Sequence, residues 1–167
     1  SGVLNPEMKW FARFGMIPNT EAKDFFEAPF MLERKGVYYF TYSSGSCHDA
    51  SYRVQYAVGD KPDGRFRMGP NNPVLASSQD GTVHGPGHHS IHAEGGDYFI
   101  IYHRHDIPVT PNGMHRQVCA DRLVFEGDGA IRKIEPSHEG IGYLGPASRP
   151  ENLAAGRPVT ASSHYRD

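Results

Sequence analysis

The chain has little cysteine, a single tryptophan, no excess of either charge and no long apolar run. Its two cysteines, Cys47 and Cys119, make neither a disulfide framework nor a zinc-ligand spacing. Beside apolar, strand-like stretches they read as buried thiols or as one bridge. Seventeen Lys plus Arg stand against nineteen Asp plus Glu, a formal charge of -2. Nothing electrostatic therefore points to nucleic acid or an anionic membrane as partner. No stretch approaches the ~18 apolar residues of a membrane helix. The opening Ser1-Gly2-Val3-Leu4 lacks the basic and apolar pattern of a leader. Helical periodicity of 3.6 residues is also missing beyond a turn or two.

What is present is glycine, proline, aromatic residues and histidine. Nineteen Gly and thirteen Pro among 167 residues lie well above average usage, and nine Tyr and nine Phe accompany them. That is a turn-rich β composition and not a disordered one. Ten histidines are the one odd count.

An internal repeat organises the sequence. Gly36-Val37-Tyr38-Tyr39-Phe40-Thr41-Tyr42-Ser43 is matched 60 positions later by Gly96-Asp97-Tyr98-Phe99-Ile100-Ile101-Tyr102-His103. Both stretches follow a turn glycine and read as strands. Tyr52 to Ala57 then pairs with His115 to Ala120, an offset of 63. A tight turn and a short apolar strand end each unit, at Pro62-Asp63-Gly64-Arg65-Phe66 and at Gly127-Asp128-Gly129-Ala130-Ile131. Three or four antiparallel strands recurring at this period read as propeller blades. A β-sandwich shares the strand spacing, but the repeat preserves order, spacing and turn chemistry together. Two blades do not close a ring, so the fold expected is all-β: the last two blades of a larger propeller, incomplete in this chain. The domains are residues 1–145 as propeller, 146–151 as linker, and 152–167 as the start of another module.

The innermost strand of each unit precedes its glycine–tyrosine strand, at Phe26 to Leu32 and at Gly87 to His92. Glu27 lies nine residues before Gly36 and His88 eight before Gly96, which places them at near-equivalent points facing the central channel. A carboxyl group and an imidazole then converge on one polar pocket. Apolar neighbours Phe26, Ala28 and Pro29 favour a protonated Glu27, suited to general acid work. A strand-edge glutamate facing solvent is the alternative. In His84-Gly85-Pro86-Gly87-His88-His89-Ser90-Ile91-His92, the Gly-Pro-Gly run argues against a helix. On a strand His88, Ser90 and His92 share one face and His89 takes the other. No zinc motif stands here. One channel-facing His88, binding substrate, water or a water-shelled cation, is the reading preferred over a histidine metalloenzyme. His84, His92 and His105 read as surface or packing residues. Arg116 opens a strand and either orients sugar hydroxyls or lies on the surface. His103 either lines the pocket or caps its strand.

At these residues the sequence resembles a family. Glu27-Ala28-Pro29-Phe30, followed by Lys35-Gly36-Val37-Tyr38-Tyr39-Phe40-Thr41-Tyr42-Ser43, resembles the fourth-blade segment of glycoside hydrolase family 43. Gly85-Pro86-Gly87-His88-His89-Ser90 and Tyr102-His103 are similar to that family's following motifs. Arg116 and the run from Asp121 through Ile131 continue the likeness, which spans about residues 17–145. The resemblance implies a five-bladed propeller and an inverting glycosidase (EC 3.2.1.-), incomplete as this chain alone. It acts on plant-type polysaccharides or oligosaccharides carrying arabinofuranosyl, xylosyl or galactosyl units. Glu27 is then the general acid, and the base aspartate lies on blades upstream of this chain. His88, Arg116, His103 and Phe26 contact the carbohydrate. No cofactor is required, and a structural Ca2+ or similar cation in the channel is implied near His88, through water. Inversion needs two carboxyls roughly 6.5–9.5 Å apart, and one alone cannot supply it. A sugar-binding propeller without hydrolysis is the other reading. Residues Asn152 to Ser163 resemble the opening strand of a discoidin-like carbohydrate-binding module. Together these imply a modular protein that is secreted, periplasmic or at the cell surface.

Overall fold

The computed structural model describes residues 2–110 and 114–142, so the linker and module expected at 146–167 lie outside the described residues. Strands β1 (Gly2–Leu4) and β2 (Phe11–Phe14) form a hairpin. A four-stranded antiparallel meander follows: β3 (Glu27–Arg34), β4 (Val37–Ser44), β5 (Arg53–Gly59) and β6 (Phe66–Met68). A second meander contains β7 (Gly87–Glu94), β8 (Asp97–His105) and β9 (Arg116–Leu123). Its expected fourth strand at Ile131 is reduced to a single bridge with Phe125. No helix among the described residues is long and apolar enough to cross a membrane.

The repeat is real, with corrections of register. Two-residue turns join the first strands of each meander, at Lys35-Gly36 and Gly95-Gly96. All four turn residues have positive φ, the primed geometry that suits the twist of a hairpin. Strands β3 and β7, and β4 and β8, hold the offset of 60. The third strands do not hold 63: Val54 faces Ser43 and Val118 faces His103, an offset of 64. Tyr52 therefore corresponds to Arg116, and not to His115. The inner strands keep the one-residue difference already counted between Glu27 and His88. Glu27 pairs with Ser43 and Gly87 with His103, so Glu27 corresponds to Gly87, and His88 to Ala28.

Alternation along β4 gives each face its task. Tyr39 joins Val54, Tyr56, Ile91, Ile100, Tyr102 and Leu123 in the core between the two meanders. Thr41 and Ser43 lie on that same side, against His89 and His88. Phe40 and Tyr42 face the other way, packing with Ala22, Ala57 and Phe66. Hydroxyls tie the loops down: Tyr39 donates to the Gly129 carbonyl at 2.7 Å and Tyr42 to that of Lys23 at 2.7 Å. Both cysteines are free and only half-buried, so the bridge does not form.

Candidate active site

Each inner strand begins with a bulge. Ala28 and Pro29 oppose Tyr42 alone, and His88 and His89 oppose Tyr102 alone. Ala28 (φ 53°) and His88 (φ 49°) take the left-handed conformation at the same repeat position. Such a bulge re-aims the strand end, here bringing Glu27 and His88 together despite the one-residue difference in register. His88 Nδ1 lies 3.6 Å from Glu27 Oε1, with side chains 57% and 35% exposed. That is an ion pair only when His88 is protonated, and too long for a hydrogen bond. The His88 backbone N–H donates to Ser43 Oγ at 2.9 Å.

The closest partner of Glu27 is a residue the sequence reading passed over. Tyr52, fully buried, donates its hydroxyl to Glu27 Oε1 at 2.7 Å. Its ring stacks on His103, centroids 5.7 Å apart and planes 11° apart. Burial first, and then the bond to Glu27, push the Tyr52 phenol well above its ordinary value. The shared proton therefore belongs to Tyr52. No motif marks this residue, and its repeat partner is an arginine. The only trace is Gly87: a Cβ there would run into the Tyr52 ring.

The same reasoning explains Gly85. A Cβ on it would come within 2.9 Å of the Asp49 carbonyl and of His105 Nε2, and its φ is +57°. The two glycines beside Pro86 are thus required by close approach. His105 is fully buried, with Nε2 3.1 Å from the Cys47 carbonyl and Nδ1 3.0 Å from His84 Nδ1. A carbonyl only accepts, so His105 carries its proton on Nε2, and His84 Nδ1–H donates to His105 Nδ1. The packing role expected for His105 holds. His92 lies exposed beside Glu94.

Arg116 opens β9, as expected, and donates from Nη2 to the same Cys47 carbonyl at 2.7 Å. Two donors on one oxygen pin the loop between β4 and β5, whose far end is Tyr52. His103 stacks on Tyr52, and it tilts toward His88 at 5.9 Å. Burial first, then the positive charge of Arg116, hold its imidazole down at about 4. It is neutral near pH 7. Phe26 is half-exposed beside Glu27, and its N–H donates to the Ser43 carbonyl at 3.0 Å. His89 faces inward, as alternation predicts, against Thr41 Oγ1 at 2.7 Å.

A cation in the channel would need six or more oxygen ligands. The described residues offer one half-exposed imidazole and no group of three ligating side chains. By themselves they do not make a coordination shell. A cleft of about 770 Å³ lies elsewhere, lined by Met16, Phe25, Phe30, Met31 and Phe40. It borders the face of the first meander turned away from the second. Chemically, the cluster is a carboxyl with one oxygen bound by a phenol and the other unbonded among the described residues. No second carboxylate bonds the side chains of Glu27, Tyr52 or His88 among those residues.

The family model for glycosyl hydrolases family 43 matches residues 7–131. The chain belongs to glycosyl hydrolases family 43. Within family 43 and its neighbours, this chain is 37% identical over 116 residues to a β-D-galactofuranosidase of Aspergillus niger, covering 69% of this chain and 33% of that one. It is 30% identical to a xylosidase/arabinosidase of Thermoclostridium stercorarium, over 69% of this chain and 25% of the relative. This family 43 chain thus spans a quarter to a third of the length of those curated relatives. A thermostable family-43 glycoside hydrolase superposes with TM-score 0.61 at 36% identity, over 66% of this chain and 36% of that one. Another glycoside hydrolase covers 99% of this chain and 34% of its own with TM-score 0.68; at 24% identity it speaks for the fold alone. The two meanders are blades of the five-bladed family 43 propeller.

Proposed function

We propose that this chain carries the acid half of a glycosidase site, with Glu27 as general acid. The substrates are glycosides bearing xylosyl, arabinosyl or galactofuranosyl units, the sugars named for its family 43 relatives. The observation that carries this reading is the Glu27 carboxyl itself. It is partly open, it is held at one oxygen by Tyr52, and imidazoles of His88 and His103 flank it. Glu27 gives a proton to the glycosidic oxygen as the bond from that oxygen to the anomeric carbon breaks. Water forms the new bond to that carbon from the opposite face and loses its proton to a base carboxylate. That base comes from another blade, and the product is inverted. Phe26 offers a flat apolar face to a sugar ring, and His88 an imidazole edge. Arg116 keeps further guanidinium nitrogens for a sugar hydroxyl while it holds Cys47.

Glu27→Gln, made in the protein with all its blades, tests this. Turnover of an unactivated oligosaccharide should fall by ~10²-fold or more, the usual scale of general acid catalysis, with an unchanged melting midpoint. Activity within twofold of the parent removes Glu27 as the acid.

A further inference from the structure

We infer that Tyr52 is the positioning residue of the acid: by donating to Glu27 Oε1 it directs the transferable proton to Oε2. The inference rests on Glu27 being the acid. A protonated carboxyl can place its hydrogen on either oxygen. An oxygen that already accepts a hydroxyl at 2.7 Å serves as the carbonyl oxygen of that acid, because the phenol supplies the only hydrogen the contact needs. The acidic hydrogen then sits on Oε2, which no described residue bonds. His88 does not compete for this task, standing 3.6 Å from Oε1.

The phenol holds its position independently of Glu27. Its ring lies against His103 on one face, and Gly87 offers its edge an approach that no other residue would permit. The loop leading to it is pinned at Cys47 by Arg116 and His105. Within that loop the Ser46 N–H donates to Ser51 Oγ at 2.9 Å, and the Ser51 N–H to Asp49 Oδ1 at 2.8 Å. Burial keeps the phenol protonated, so its donor role persists across the working pH range. Tyr52 itself is fully buried. It acts through the carboxyl.

The test uses Tyr52→Phe in the protein with all its blades, since phenylalanine keeps the ring and its stack. On an unactivated oligosaccharide kcat should fall ~10–100-fold, the scale of a misplaced catalytic group, with KM within about twofold. On the 2,4-dinitrophenyl glycoside of the same sugar, whose leaving group departs without a proton, the loss should stay under about threefold. In a Glu27→Gln background, Tyr52→Phe should cost nothing further, because the two residues act as one unit. Equal losses on both substrates would assign Tyr52 a merely structural role and overturn the inference. Parent-like kcat on both, with Glu27→Gln still crippled on the oligosaccharide alone, would overturn it while sparing the acid assignment. Loss of that selectivity in Glu27→Gln would overturn both.

Discussion

Histidines in this chain are sorted by what their neighbours can accept. His89 is buried and meets Thr41 Oγ1, whose own hydroxyl donates to the Phe30 carbonyl at 3.2 Å. The imidazole must therefore donate from Nε2, and Nδ1 is left a bare lone pair without a partner. Such a lone pair is tolerable while the ring is neutral, whereas a proton there would be stranded. Burial accordingly lowers His89 from 6.5 to about 4. The unfolded state then binds the extra proton between those values, so stability is retained above pH 6.5 and lost as pH falls through the window. The full loss for this one group is roughly 3 kcal/mol below pH 4. Partly buried His103 shifts the same way with a smaller consequence. Melting midpoints measured from pH 7 to pH 4.5 should fall, and His89→Gln, which keeps an amide for Thr41, should flatten the slope. A slope unchanged by that substitution would show that His89 does not titrate in this way. Alternation in the sequence was enough to put His88 and His89 on opposite faces. The pairing of His84 with His105 was not legible, because only the antiparallel pairing of β7 with β8 sets the approach to one strand beside the end of the other.

At the scale of the strand, glycine and bulge positions decide what the site can hold. The repeat of 60 was readable because aromatic residues and turn glycines recur together. The third strand misaligned by one because Ala57 and Ala120 look alike, while the backbone partner of Ala57 makes Asp121 its counterpart. A slip of one residue exchanges the two faces of a strand. The bulges hid for another reason: two residues facing one leave no mark in composition, and both inner strands carry the bulge at the same repeat position, so the offset of 60 is unchanged. Ala28 sits at φ 53° with no glycine to relieve it. Ala28→Gly should stabilise the protein by about 1 kcal/mol in chemical denaturation, and a loss of stability would deny that the bulge is strained. Gly87→Ala should do the reverse to function. Its methyl displaces Tyr52, and kcat on unactivated substrate should fall ~10-fold or more. A variant that retains parental kcat would show that the ring has room to yield.

Across the whole molecule, each blade repeats the same division of faces. Ile100 and Tyr102 pack against the first blade, and their counterparts Phe40 and Tyr42 occupy the matching face of that first blade. That face, with Met31 and the exposed Trp10, Phe11, Phe14 and Met16 near the hairpin, has the chemistry of a blade contact. Residues 1–142 alone should strongly enhance the fluorescence of the apolar dye ANS, and the protein with all its blades should not. Equal emission from both would mean that no further blade covers this face. The sequence carried the blades and the residue proposed as the acid but only part of the site, because a propeller assembles its channel from every blade. The most direct measurement is kcat/KM of Glu27→Gln across aryl glycosides of increasing leaving-group acidity. A general acid at Glu27 predicts a steep dependence, with nearly parental rates for the best leaving groups and severe loss for the poorest. A dependence parallel to that of the parent protein would contradict it.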